Sequence, residues 1–183
     1  MIWRVIVMKT NIRKIAMLGM LLAAQVVAGK FFSIKLPLVT IGFLFLPLAI
    51  TSILYGPLWG GISGVAGDFL IAALGPWGYY PPMATTAFLS GAVYGVFLHK
   101  KPLTLSRITL CVLTESLLCS VLLQTYWITM LSGKGYFALL PVRLGQNLLV
   151  APVTIVCLRL IAPRLCRELS RLGFAVTPDT SAK

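Results

Sequence analysis

The stretch Tyr55–Gly95 reads YGPLWGGISGVAGDFLIAALGPWGYYPPMATTAFLSGAVYG, and its reading decides the fold. It is almost wholly apolar, rich in glycine, and interrupted once, by Gly75-Pro76-Trp77-Gly78-Tyr79-Tyr80-Pro81-Pro82. Two apolar runs joined by such a turn read as two membrane helices. The first run holds a single acid, Asp68. A charged group at the centre of a bilayer costs at least about 2.5–3.5 kcal/mol, so an acid retained there marks a ligand, an ion or a partner. The expectation is a polar site between glycine-lined helices.

The rest of the chain agrees with that reading. Of its 183 residues 58% are hydrophobic and 11% charged, with mean hydropathy +0.94. A soluble domain of this length has no interior large enough to hide so much apolar surface. The apolar runs are continuous rather than alternating, which excludes a membrane β-barrel. The formal charge of +12 suggests nucleic acid, but the basic residues gather in Arg4–Lys14, Lys100–Arg107 and Arg159–Arg171, each flanking an apolar run. That is the positive-inside pattern of a polytopic membrane protein, attracted to anionic lipid and not to nucleic acid.

The fold class that follows is all-α: one integral membrane domain over residues 1–183, a bundle of six transmembrane helices with both termini cytoplasmic. The spans are expected at about 12–32, 38–55, 58–74, 82–98, 105–131 and 140–161. The second carries Pro47, a kink candidate. The last runs on as a basic amphipathic helix to about 172, before a polar tail at 173–183. This arrangement leaves Lys30, Lys35, Lys134 and Arg143 on the outer side and the other twelve of the sixteen Lys and Arg inside. No signal-peptide cleavage site stands out in the first residues. Met8 is a candidate start, because Lys9–Lys14 already forms a cytoplasmic flank.

Small residues line the helices four apart: Gly19 and Ala23, Ala24 and Ala28, then Gly56, Gly60 and Gly64, and Gly91 and Gly95. This spacing lets backbones approach closely. On the third and fourth spans it reads as internal packing. On the first it serves equally as a face for a partner helix. The four cysteines show no CxxC spacing, and His99, the sole histidine, stands at a helix end without a ligand cluster. No metal or cofactor is expected.

Several segments together resemble the substrate-binding S components of energy-coupling factor (ECF) vitamin transporters, most of all the folate-specific type. They are Ile41-Gly42-Phe43-Leu44-Phe45-Leu46-Pro47, Leu54-Tyr55-Gly56-Pro57-Leu58-Trp59-Gly60, Gly67-Asp68, Gly78-Tyr79-Tyr80-Pro81-Pro82, Ala87-Phe88-Leu89-Ser90-Gly91-Ala92-Val93-Tyr94-Gly95 and Arg143-Leu144-Gly145-Gln146-Asn147. After the turn, where the family often has Pro-Gly-Phe-Thr, this chain reads Pro81-Pro82-Met83-Ala84-Thr85. The resemblance implies a six-helix bundle in a bacterial cell membrane with an outward-facing vitamin pocket. It implies an energising module as partner: one transmembrane coupling subunit and two cytoplasmic ATPases. It also implies that the coupling subunit docks on the first helix, through Gly19, Ala23, Ala24 and Ala28. The chain has no GxxxxGK[ST] pattern, so ATP hydrolysis belongs to those partners and the chain is not an enzyme.

Candidate binding residues follow. The Asp68 carboxylate matches the adjacent N–H and amino group of a pterin, and its competing reading is an internal pair. Arg143, Gln146 and Asn147 share a face near the outer end of the last span. Amides offer donor and acceptor to a heteroaromatic edge; the competing reading is hydrogen bonding between helices. Trp77 and Tyr80 are expected to stack on a flat ring or to sit in an interfacial belt, and Trp127 in the belt. Thr85 completes the candidate set. Lys35, Lys134 and Arg143 could attract glutamate carboxylates. Glu115 is expected to face Arg107 or the basic first helix, in a structural or coupling role. Other functions compatible with the residues are capture of riboflavin, thiamine or a queuosine precursor, a membrane scaffold, and an intramembrane enzyme. The last would need a nucleophile with a base, and His99 is on a flank.

Overall fold

The computed structural model describes residues 11–31, 33–35, 40–75, 78–133 and 135–171. Seven α-helices, α1 (Asn11–Phe31), α2 (Phe45–Tyr55), α3 (Pro57–Ala73), α4 (Pro81–Leu98), α5 (Leu105–Glu115), α6 (Thr125–Ser132) and α7 (Tyr136–Arg171), and two strands, β1 (Ser33–Lys35) and β2 (Thr40–Gly42), account for them. A π-helix, Ser116–Gln124, joins α5 to α6 in one rod, so the chain makes six antiparallel passes. Three described helices are long and apolar enough to cross a membrane: Lys14–Phe31, Leu105–Leu131 and Tyr136–Leu165.

The second pass departs from expectation. Residues 40–42 are extended and pair antiparallel with β1, Ser33 opposite Gly42 and Lys35 opposite Thr40. The run Val39-Thr40-Ile41 followed by Gly42 is β-branched and then helix-breaking, which favours the hairpin. The α2 helix has 11 residues and a length of about 16 Å, half of a hydrocarbon core of about 30 Å. Non-helical backbone at this depth is tolerated where protein covers it or it lines a cavity, and strand pairing satisfies part of it. Pro47 falls in the first turn of α2, where no intrahelical N–H bond is needed, so it does not kink the helix.

The apolar core lies at one end of the bundle. It joins Met17 of α1, Ile50 and Ile53 of α2, Leu98 of α4, Ile108 of α5 and Leu158 of α7. The first turns of α1 and α5 and the last turns of α2, α4 and α7 therefore share this end, called here the near end. Asn11 and Arg171, the outer limits of α1 and α7, both belong to it. The α2 helix runs through the middle, buried from Pro47 to Leu54, and packs on α1, α3, α4 and α7. Its hydroxyls bond to their own helix, Thr51 to Pro47 O at 2.8 Å and Ser52 to Leu48 O at 2.9 Å. His99, past the end of α4, donates through Nδ1 to Ile53 O at 2.8 Å and ties α4 to the α2–α3 corner. Gly56 makes that corner with φ +92, a conformation open to glycine.

The helices α3 and α4 form a glycine seam. A side-chain carbon on Gly64 would strike the Ala87 carbonyl, and one on Gly91 the Gly60 carbonyl. One on Gly61 would lie 2.6 Å from the Phe88 ring. Close backbone packing replaces the hydrophobic drive that lipid does not supply. The seam also fixes depth: Gly60 stands opposite Gly91 and Gly64 opposite Ala87, and one more turn of this antiparallel register sets Asp68 opposite Met83.

Candidate functional site

Above the core the bundle becomes polar. Gln25 of α1, 1% exposed, lies against α3, where Ser63 Oγ donates to its Oε1 at 3.3 Å. Ser90 of α4 donates to Glu115 Oε1 at 3.2 Å, where α5 passes into the π-helix. This replaces the expected approach of Glu115 to Arg107, which is exposed, with no ion pair between them. The Ser90 hydroxyl thus supplies this carboxylate with a donor from α4.

Farther out, several polar groups lack partners among the described residues. Asp68 is half-buried in the last turns of α3 and, among the described residues, makes no hydrogen bond or ion pair. Arg143 is half-buried on α7 and its guanidinium is likewise unpaired among them. The Thr86 Oγ1 and Trp127 Nε1 atoms are enclosed without a partner among the described residues. The enclosed indole N–H departs from a simple interfacial belt, although the Trp127 ring also meets Tyr126 edge-on at 5.1 Å.

The expected site residues divide. Asp68, Arg143, Gln146 and Asn147 all lie at the far end, on α3 and α7, and no hydrogen bond joins Asp68 to Arg143. Asn147 Nδ2 donates to Arg143 O at 3.0 Å, so part of its amide serves its own helix. Gln146 is half-buried on the same turn. Tyr80 is half-buried at the extended residue that begins α4. Its neighbour Tyr79 meets Phe69 edge-on, with ring centres 5.0 Å apart. Thr85 is exposed and bonds Pro82 O at 2.6 Å. It lines an apolar groove of about 300 Å³ with Val65, Ala84, Phe88 and Leu89. A second groove, of about 360 Å³, shares Val65 and Phe88 and adds Ile62, Ala66, Phe69 and Tyr79. Neither groove includes Asp68 or any residue of α7. Trp77 lies outside the described residues, as do the side chains of Lys35 and Lys134.

Sequence reasoning missed Gln25, Thr86 and the enclosed face of Trp127. Gln25 had a signal: it is the one amide in an apolar run, four residues from Leu21 and Gly29 on one face. The π-helix had none, although such segments occur often at functional sites. On α1 Met17, Leu21 and Gln25 are buried, whereas Gly19, Ala23 and Ala24 are exposed and Ala28 is half-buried.

Comparison with known proteins agrees with this architecture. The family model described as "ECF-type riboflavin transporter, S component" matches residues 9–162. The folate transporter FolT of Clostridium novyi (strain NT) is 31% identical over 137 residues, 74% of this chain and 80% of that protein. The crystal structure of FolT bound with folic acid superposes with a TM-score of 0.79 at 30% identity, covering 84% of this chain and 95% of that one. With an apolar core at one end, Asp68 and Arg143 unpaired among the described residues at the other, and a family match over residues 9–162, this six-pass chain belongs to the S components of ECF transporters, multi-pass membrane subunits that are not themselves enzymes.

Proposed function

We propose that this chain captures folate at the far end of the bundle, from outside the cell. The observation that carries this reading is the pair Asp68 and Arg143: opposite charges at one end of the bundle, half-buried, neither paired among the described residues. Folate supplies both missing partners. Its pterin presents an N–H beside an amino group, which a carboxylate accepts in a charge-assisted pair. Its glutamate carries carboxylates that a guanidinium binds. Both contacts offset the cost of holding these charges out of water. The likeness to FolT with folic acid supports the same ligand.

The family description favours riboflavin as a second reading. Riboflavin has a flat ring but no carboxylate for Arg143 and no amino group beside its ring N–H for Asp68. The charges therefore favour folate.

The basic near end faces the cytoplasm in this reading, because twelve of the sixteen Lys and Arg flank its helix ends or lie in the terminal segments beyond them. The exposed stripe Gly19, Ala23 and Ala24 receives the coupling subunit, and two ATPases attached to that subunit supply the energy. Mass spectrometry of small molecules released from the purified chain tests the ligand. Folate or a reduced folate is expected; recovery of a flavin instead contradicts the reading.

A further inference from the structure

We propose that Thr86, not its neighbour Thr85, is the α4 hydroxyl that contacts the ligand's ring, about one turn deeper than Asp68. The inference rests on the folate-capture reading. Thr86 is 8% exposed, and its Oγ1 has no hydrogen-bond partner among the described residues. The other buried threonines do: Thr51 bonds Pro47 O at 2.8 Å, Thr125 bonds Ser120 O at 3.4 Å and Thr154 bonds Val150 O at 3.0 Å. Bonding to the carbonyl four residues back is the ordinary refuge of a helical threonine. For Thr86 that carbonyl belongs to Pro82, and Thr85 bonds it at 2.6 Å. Thr85 is thus engaged with its own backbone and exposed, while Thr86 is turned inward and free.

Its place on α4 is informative. Thr86, Ser90, Tyr94 and Leu98 form one stripe at four-residue spacing. Leu98 and Tyr94 belong to the core, and Ser90 bonds Glu115. Thr86 is the outermost of the four and stands where the satisfied part of the stripe ends. The seam register sets Asp68 opposite Met83, three residues outward of Thr86, or about 4.5 Å along the axis. That interval lies within the width of a pterin. A carboxylate takes the ring's donors, and a hydroxyl donates to a ring nitrogen or carbonyl. The Thr86 oxygen is enclosed, so the ring reaches it as a neighbouring side chain turns aside.

The test uses the purified full chain, titrated with folate and with pteroate, which lacks the glutamate, alongside thermal unfolding without ligand. Thr86→Val keeps shape and removes the hydroxyl. It is expected to weaken both ligands about tenfold, or 1.4 kcal/mol, with an unfolding temperature equal to or above that of the unchanged chain. Thr86→Ser should stay within about threefold of the unchanged affinity and Thr85→Val within about twofold, since the first retains the donor and the second touches no ligand. If Thr86→Val does not fold, Thr86→Ala carries the same comparison. Unchanged affinity in Thr86→Val overturns the proposal. So does a loss for folate alone, which would put the contact on the tail, or a loss that tracks a lower unfolding temperature. If the unchanged chain binds no folate, the folate-capture reading falls, and this inference with it.

Discussion

Gln25 of α1 occupies the space that a side chain on Gly67 of α3 would need: a carbon added at position 67 would strike the Gln25 amide. Absence of a side chain on one helix thus admits a buried amide from another, which Ser63 Oγ holds at 3.3 Å. The contact sets the spacing of α1 and α3 one residue below Asp68.

Gly67→Ala is therefore expected to push α1 off α3. Overpacking of this kind costs about 1–3 kcal/mol, read as a lower unfolding temperature of the purified chain. Gln25→Ala should relieve part of that cost, so the double variant should be more stable than the sum of the singles predicts. Strict additivity would show that the two residues do not meet.

Asp68→Asn retains size and removes charge. Loss of a charge-assisted bond should weaken folate by about 1.5–3 kcal/mol, roughly 10- to 150-fold. An unchanged affinity with a fall in expression would assign Asp68 to the fold instead.

Arg143→Gln separates the two ends of the ligand. Folate should bind more weakly by about 1–3 kcal/mol, while pteroate, without the glutamate carboxylates, should be little affected. Equal losses for both would move Arg143 away from the tail. Because Asn147 bonds the Arg143 carbonyl and not its side chain, the substitution leaves that bond in place.

The exposed stripe on α1 makes a different prediction. Gly19, Ala23 and Ala24 are exposed, so Ala24→Trp should leave folate affinity near normal. Recovery of the complex with the coupling subunit and ATP-dependent uptake should both fall. Ala28 is half-buried, and Ala28→Trp should disturb stability as well. Loss of folate binding in Ala24→Trp would instead mean that the stripe packs inside.

Much of this architecture is legible in the chain, because lipid demands long apolar helices and the seam glycines announce close packing. The departures have local causes. Residues 40–42 look like the start of a span by hydropathy alone, yet their β-branched run pairs as a strand. The π-helix at Ser116–Gln124 leaves no mark, since its apolar residues suit an α-helix equally well. The site is harder to read because adjacent helical positions differ by about 100° in direction. Thr85 and Thr86 are chemically identical in the sequence, and the register set by Ala87, Gly91 and Gly95 against α3 decides which one turns inward.

Equilibrium titration of the purified chain, without ATP or partner subunits, with folate, riboflavin and thiamine tests the central claim most directly. Tight, saturable binding of folate with little or none of the other two is the predicted result. Tight binding of riboflavin or thiamine, with none of folate, would contradict it.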